Sequence, residues 1–180
     1  MTKQELRRYI SQEKKKYGTT ELIDKSETLF RLLEGHPLFQ KSGTILLYYA
    51  LPGEVSTHAF IEKWYQQKQI LLPVVVGEEL ELRQYTGPSC MREGAFHIME
   101  PTGDVFDQLR KIELSIIPGV SFDAQGHRLG RGKGYYDRLL PKLKSYNIGV
   151  CFHFQVVPEV PTDSFDRVMN EVWTEEGRLS

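Results

Sequence analysis

Cysteine is scarce in this chain of 180 residues, and the two present, Cys90 and Cys151, stand far apart and match no zinc or redox spacing. A metal or dithiol centre built on cysteine is thereby excluded, and the pair suits a reducing compartment, where a buried thiol acts as a small hydrophobe. No apolar run is long enough to cross a bilayer, and the polar, charged N-terminus lacks the features of a secretory signal. Charge is nearly balanced, at a formal net −1. No global field therefore recruits nucleic acid or anionic lipid, and any anion site has to be local. The expectation is a cytoplasmic protein with neither nucleic acid nor membrane among its partners.

The familiar catalytic signatures are also missing. The five histidines, His36, His58, His97, His127 and His153, show no metal-ligand spacing. No Gly-x-Ser-x-Gly elbow occurs, and neither cysteine has a recognisable catalytic neighbourhood, which argues against covalent catalysis. There are no repeats, linkers or low-complexity tracts. What remains is ordinary globular material, 40% hydrophobic and 26% charged, of a length that fits one domain with a real core.

Against this background one stretch stands out. Gly119 to Leu140 carries five of the fifteen glycines, basic residues between them, and an acid after two tyrosines. Gly130, Gly132 and Gly134 alternate with Arg131 and Lys133, so successive amides and two cations can gather in one small volume. That is how a chain wraps phosphate oxygens, through backbone nests and charge-assisted bonds. The Tyr135 to Leu143 segment reads as a helix, which would set the phosphates at a helix N-terminus. A P-loop would need Ser or Thr where Gly134 stands, and a dinucleotide fingerprint would need Gly in place of Tyr135. The competing view is a solvated glycine turn, but such a turn needs one or two glycines, not three alternating with cations.

Around this stretch the chain alternates helices and strands. A capping-box spacing at Thr2 to Glu5 opens a helix to about Tyr17, and a second helix runs from Thr19 or Thr20 to Gly35-His36-Pro37. Buried strands are expected at Thr44–Ala50, Gln69–Val76, Leu114–Gly119 and Asn147–Phe152, a half-exposed one at Glu79–Tyr85, and a last one from about Arg167 to Thr174. A helix should run from His58 to about Gln67. The Thr86 to Asp107 stretch, rich in Gly and Pro and without obvious structure, hints at a binding loop. The sum is a single-domain α/β protein over residues 1–180, a three-layer sandwich with a mainly parallel central sheet and helices on both faces. Three loops should share one rim: Leu51–Thr57 with Glu54, Gly119–Lys133, and Phe152–Asp166. Asp137, one helical turn beyond the phosphate loop, suits a cation bridging phosphate oxygens, with Asp163 or Asp166 as a second carboxylate. An ion pair from Asp137 to Arg138 or Arg131 is the structural alternative. Positioning and electrostatics around a phosphoryl group are the chemistry left open.

Gly119-x-x-Phe-Asp-x-x-Gly-x-Arg-Leu-Gly-x-Gly-x-Gly-Tyr-Tyr-Asp-Arg138 resembles the signature of the 5-formyltetrahydrofolate cyclo-ligase family. Lys3-x-x-Leu-Arg7, the Glu54, Val55 and Thr57 positions, Glu100-Pro101 and Asp166 extend the resemblance over nearly the whole chain. It implies ATP- and Mg²⁺-dependent cyclisation of 5-formyltetrahydrofolate to 5,10-methenyltetrahydrofolate, the formyl oxygen being phosphorylated before N10 attacks. By the same resemblance Lys3, Gln4, Glu5, Leu6 and Arg7 contact the nucleotide. Arg128, Leu129, Gly130, Arg131, Gly132, Lys133, Gly134, Tyr135 and Tyr136 wrap its phosphates, and Arg131 to Tyr135 also line the folate side. Tyr49 and Glu54 take the folate, Asp137 and Asp166 hold magnesium, and Lys133, Arg131 and Tyr135 serve the chemistry. Asn170 is a departure, since the family often has Asp there. The implied partner is a small molecule and the implied state a monomer. Rival readings are a folate- or nucleotide-binding protein without turnover, and another α/β enzyme acting on a phosphorylated small molecule. A nucleic-acid module gripping a strand with Arg131, Lys133, Tyr135 and Tyr136 lacks the broader basic stripe it would need.

Overall fold

The computed structural model describes residues 1–94, 97–164 and 166–179. Residues 95 and 96 of the Thr86–Asp107 stretch, and 165 of the Phe152–Asp166 loop, lie outside the described residues.

Helix α1 (Lys3–Lys14) opens on the expected capping box: Thr2 Oγ1 accepts the Glu5 N–H at 3.1 Å, and Glu5 Oε2 accepts the Thr2 N–H at 2.9 Å. It stops at Lys14 rather than Tyr17. Helix α2 (Thr19–Glu34) is followed by a short α3 (Pro37–Lys41) where the sequence suggested only a break. The proline sits in the first turn, and the His36 Nδ1 accepts the Leu38 N–H at 3.0 Å, so the breaker of one helix starts the next.

Strand β1 (Thr44–Leu46), helix α4 (His58–Trp64), strand β2 (Gln69–Val76) and strand β3 (Glu79–Gln84) come next. The Thr86–Asp107 stretch is not structureless: β4 (Met91–Glu93) and β5 (Met99–Pro101) form an antiparallel ribbon inside it. Strand β6 (Leu114–Pro118) is buried at every position and leads into a second ribbon, β7 (Ser121–Phe122) with β8 (Arg128–Leu129). Helix α5 (Tyr135–Leu139) is shorter than expected, because residues from Leu140 to Lys142 tighten into a 3₁₀ turn holding Pro141. Strands β9 (Tyr146–Val150), β10 (Glu171–Thr174) and β11 (Gly177–Arg178) finish the chain.

Among the described residues these make a seven-stranded sheet of order β11-β10-β9-β6-β1-β2-β3. β10, β9, β6, β1 and β2 are parallel, and β11 and β3 fold back as antiparallel edges. The unbroken apolar runs are explained by covering on both sides. Ile45, Leu47, Ile70, Leu72 and Ile116 point to Leu29, Phe30, Leu33, Phe39 and Phe60 of α2, α3 and α4. Leu46, Leu71, Ile117 and Val172 point the other way, to Phe122, Leu139 and Leu140. Each such side chain contributes about 1.5–3 kcal/mol. The far half of β2 departs from expectation: Val75 and Val76 are half exposed, at 48% and 53%. β1 pairs only with Gln69 to Leu71, so the later residues of β2 run on with β3 alone, past the layer that would cover them.

β1 has β2 on one side and β6 on the other. The chain leaving β1 crosses to β2, whereas the chain leaving β6 crosses away to β9. That reversal opens a crevice beyond the carboxyl ends of β1 and β6, where an open α/β sheet binds its ligand.

Candidate active site

The loop after β1 is built to hold one carboxylate. The Thr57 hydroxyl donates to the Tyr48 carbonyl at 2.6 Å and accepts the Ala50 N–H at 3.1 Å, and the Tyr48 hydroxyl donates to the Val55 carbonyl at 2.7 Å. Within this frame Glu54 Oε1 accepts the Leu51 N–H at 2.7 Å, which fixes the side chain. Its other oxygen faces Arg131 Nη2 at 3.5 Å. Tyr49 is held flat against the His58 ring, with centroids 3.9 Å apart, while His58 Nε2 donates to the Ala50 carbonyl at 2.9 Å. His58 is a neighbour of the site that no sequence motif signalled.

The loop after β6 reaches the same crevice. Gly132 and Gly134 take φ of +108° and +72°, the left-handed region where a side chain is strained. Arg7 reaches across from α1, its Nε donating to the Gly130 carbonyl at 2.8 Å. Arg138 clamps the loop from behind, with Nη2 donating to the Lys133 carbonyl at 2.9 Å and Nε to the Glu78 carbonyl at 2.7 Å. Its guanidinium also lies over the Tyr135 ring, 5.5 Å from the centroid. The Lys133 ammonium itself is exposed and meets no described residue in a hydrogen bond or ion pair. Because α5 spans five residues, its dipole is small, and the loop amides and cations carry more of any anion attraction than the expected helix would have.

Arg128 works mainly inward. Its Nε donates to the Pro118 carbonyl at 2.6 Å, and its guanidinium lies 4.9 Å from the Tyr136 ring centroid. Protein surrounds both groups although each keeps some accessible surface; that environment lowers the guanidinium's pKa and raises the phenol's. Leu6 and Leu129 are buried against each other's elements with Ile10 and Val160, so their side chains floor the crevice rather than line it. Glu5 is engaged in the helix cap, and Gln4 lies exposed beside it.

The third loop joins through Gln155, whose amide nitrogen donates to the carbonyls of Gly119 and Val120 at 3.2 and 2.9 Å. Beyond it Lys3 pairs with Asp163 at 2.6 Å and Asp166 at 2.8 Å. Burial alone would raise the Asp166 pKa, but the hydrogen bonds from Lys3 and the Asp163 amide outweigh it and hold the carboxyl below its ordinary range. Among the described residues no three His, Cys, Asp or Glu side chains gather as a cage. Asp137 makes no hydrogen bond or ion pair with a described residue, and neither alternative pair forms, since Arg138 and Arg131 are engaged elsewhere. Both Asp137 and Asp166 act electrostatically on Arg128. Asp137 and Asp166 carry oxygen donors of the kind a magnesium ion takes when phosphate and water complete its shell, the Asp166 Oδ2 being already taken by Lys3 and the Asp163 amide. Asn170 stands apart from this group. Its Oδ1 accepts the Asn147 N–H at 2.7 Å at the amino end of β9, so the residue ties strand to strand.

An open, mainly parallel sheet with a glycine-rich basic loop and a fixed carboxylate at its switch point defines an α/β protein whose crevice is suited to an anionic small molecule. The model of the 5-formyltetrahydrofolate cyclo-ligase family matches residues 1–175, and the chain belongs to that family of enzymes. A 5-formyltetrahydrofolate cyclo-ligase from Haemophilus influenzae is 35% identical over 71% of this chain and 73% of its own. One from Mus musculus is 27% identical over 99% of this chain and 96% of its own. The NMR structure of Aquifex aeolicus 5,10-methenyltetrahydrofolate synthetase superposes with a TM-score of 0.89 at 36% identity, covering 99% of this chain and 92% of that one. No helix among the described residues is long and apolar enough to cross a membrane.

Proposed function

We propose that this protein converts 5-formyltetrahydrofolate to 5,10-methenyltetrahydrofolate with ATP and Mg²⁺, releasing ADP and phosphate. The observation that carries the reading is the junction at Arg131. This cation belongs to the phosphate loop yet faces the carboxylate of the folate loop at 3.5 Å, while Arg7 binds the same loop from α1. A ligand in the glycine loop and one over Glu54 would therefore meet. The names of the relatives point to the folate, and a cyclo-ligase in general draws on ATP.

In this scheme Lys3 and Arg7 with the Arg128–Tyr136 loop bind the nucleotide, and Tyr49 and Glu54 take the folate. Glu54 suits the paired N–H donors of a pterin ring, because a fixed carboxylate accepts two such bonds. ATP supplies the phosphoryl group that turns a poor leaving oxygen, amide-like in the formyl group, into a good one. Lys133, with its exposed ammonium, and Arg131 face the charge that develops during transfer, and Tyr135 borders them. Asp137 and Asp166 would hold the magnesium ion, which neutralises phosphate charge. N10 then attacks the formyl carbon, the phosphate leaves with the C–O electron pair, and the N10 proton is lost. A monomer in a reducing, cytoplasmic compartment is the setting that fits this scheme.

The test is to mix the pure protein with 5-formyltetrahydrofolate, ATP and Mg²⁺ and follow the near-ultraviolet absorbance of the methenyl product. A rise requiring all three components is expected. A flat trace with folate bound would instead assign a binding protein without turnover.

A further inference from the structure

Lys14, the last residue of α1, is a cation at the crevice that neither the motifs nor the proposed reaction employs. Its stem lies over the Glu54 loop. A Cβ placed on Gly53 would sit 3.1 Å from Lys14 Cδ and 3.6 Å from Nζ, so the ammonium stands beside the main chain just before Glu54. Burial lowers its pKa first, Arg131 lowers it further, and Glu54 opposes them. Yet the Lys14 ammonium forms no hydrogen bond or ion pair with a described residue.

A lysine used only for packing carries its ammonium out to water along an apolar stem. One used for a structural ion pair touches its acid. Lys14 does neither, being half-buried and beside Glu54 without reaching it. Lys14 and Arg131 thus share a single carboxylate, leaving one positive charge over where the folate loop meets the phosphate loop. A partly desolvated cation with no partner among the described residues at such a place calls for an anion from the ligand.

We propose that Lys14 is a further catalytic residue, its ammonium meeting the phosphoryl oxygens as the group passes from ATP to the formyl oxygen. The assignment rests on the reaction proposed above. The bond from the γ-phosphorus to its bridging oxygen breaks, ADP departs with the electron pair, and the formyl oxygen forms the new bond to phosphorus. Lys14 keeps its proton throughout and gains most where the transferring charge is spread, so its effect falls on turnover.

The variants are Lys14→Met, which keeps the stem over Gly53 without the charge, and Lys14→Arg, which keeps the charge. Lys14→Met should lower kcat about 100-fold with both KM values within about threefold, and Lys14→Arg should recover much of the loss. A binding measurement gives a second readout. In the presence of the folate, ADP with tetrafluoroaluminate, which mimics the transferring phosphoryl, should bind Lys14→Met about 100-fold more weakly, with ADP alone unchanged. Full turnover in Lys14→Met overturns the assignment, as does a rise in the folate KM alone, which would place the ammonium on the folate's glutamate carboxylate. Should Lys14→Met lose its cooperative thermal transition, Lys14→Gln carries the same comparison. Absence of cyclisation by the unaltered protein would overturn the reaction itself. Cyclisation by both the unaltered protein and Lys14→Met at one rate would overturn the role of Lys14 alone.

Discussion

Lys133 and Glu54 show how differently two residues of one site are held. The Lys133 carbonyl is clamped by Arg138 while its exposed ammonium meets no described residue, so the backbone is fixed and the charge is available. Lys133→Ala removes that charge without removing a described contact of the side chain. It should fold normally and lower kcat by roughly 100- to 1,000-fold, the usual loss for one donor to a developing oxyanion, as steady-state kinetics would read. Glu54 is fixed from both sides, one oxygen accepting the Leu51 amide and the other facing Arg131 at 3.5 Å, with lone pairs left on both oxygens. Glu54→Gln keeps an acceptor for the amide but cannot offer two anionic oxygens. The folate KM should rise about tenfold while that of ATP stays within about threefold. A fall in ATP affinity would instead tie Glu54 to the nucleotide half.

Elements set how near the loops can come. Phe122, in β7, is fully buried and lies against β9: a Cβ on Gly149 would come within 2.4 Å of its ring, far inside any real contact. Gly149 therefore has a steric reason, namely to let the ribbon that carries the glycine-rich loop sit down on the sheet. Gly149→Ala should destabilise the protein by about 1–3 kcal/mol, measured by urea unfolding, because the ring has no space into which to move. Its effect on the phosphate loop should appear as weaker ADP binding, the loop being displaced with the ribbon. α1 acts at the same scale. Leu6 and Ile10 pack on Leu129 and Val160 rather than on the main sheet, so the helix bearing Lys3, Arg7 and Lys14 is fastened to the ribbon and not to the central strands.

Across the whole molecule, the end of the sheet opposite the site is closed by Glu171. His36, Trp173 and Tyr146 all donate to its carboxylate, joining the start of α3 to β9 and β10, with Arg178 at 3.6 Å. Since Nδ1 of His36 accepts the Leu38 N–H, its Nε2 carries the proton given to Glu171. Burial would raise the Glu171 pKa, but these hydrogen bonds outweigh it and hold the carboxyl below its ordinary range. A carboxylate whose pKa is depressed by folding adds stability above its unfolded pKa of about 4.3 and loses it as pH falls through the folded value. Urea unfolding should find Glu171→Gln less stable than the unaltered protein at pH 7, with the gap narrowing below about pH 4. An unchanged gap would mean that packing, not charge, explains the loss. Much of this architecture was legible beforehand. Continuous apolar runs such as Leu114–Pro118 announced strands covered on both faces, and Gly130 to Gly134 announced a glycine-rich loop, whose left-handed backbone Gly132 and Gly134 adopt, because period and residue chemistry are local properties. The small ribbons, β4 with β5 and β7 with β8, escaped notice, since two- and three-residue strands have no period to read. The half-exposed end of β2 also escaped, because burial there depends on how far its neighbour extends. Lys14 and His58 carry no motif and became neighbours of the site only when α1 and α4 were placed. The sequence alone determined the fold class, the family and the glycine-rich loop. Only the tertiary structure decided which charges meet, that Arg131 faces Glu54, that Arg128 turns inward and that Asn170 serves the sheet, because those pairings join residues far apart in the chain.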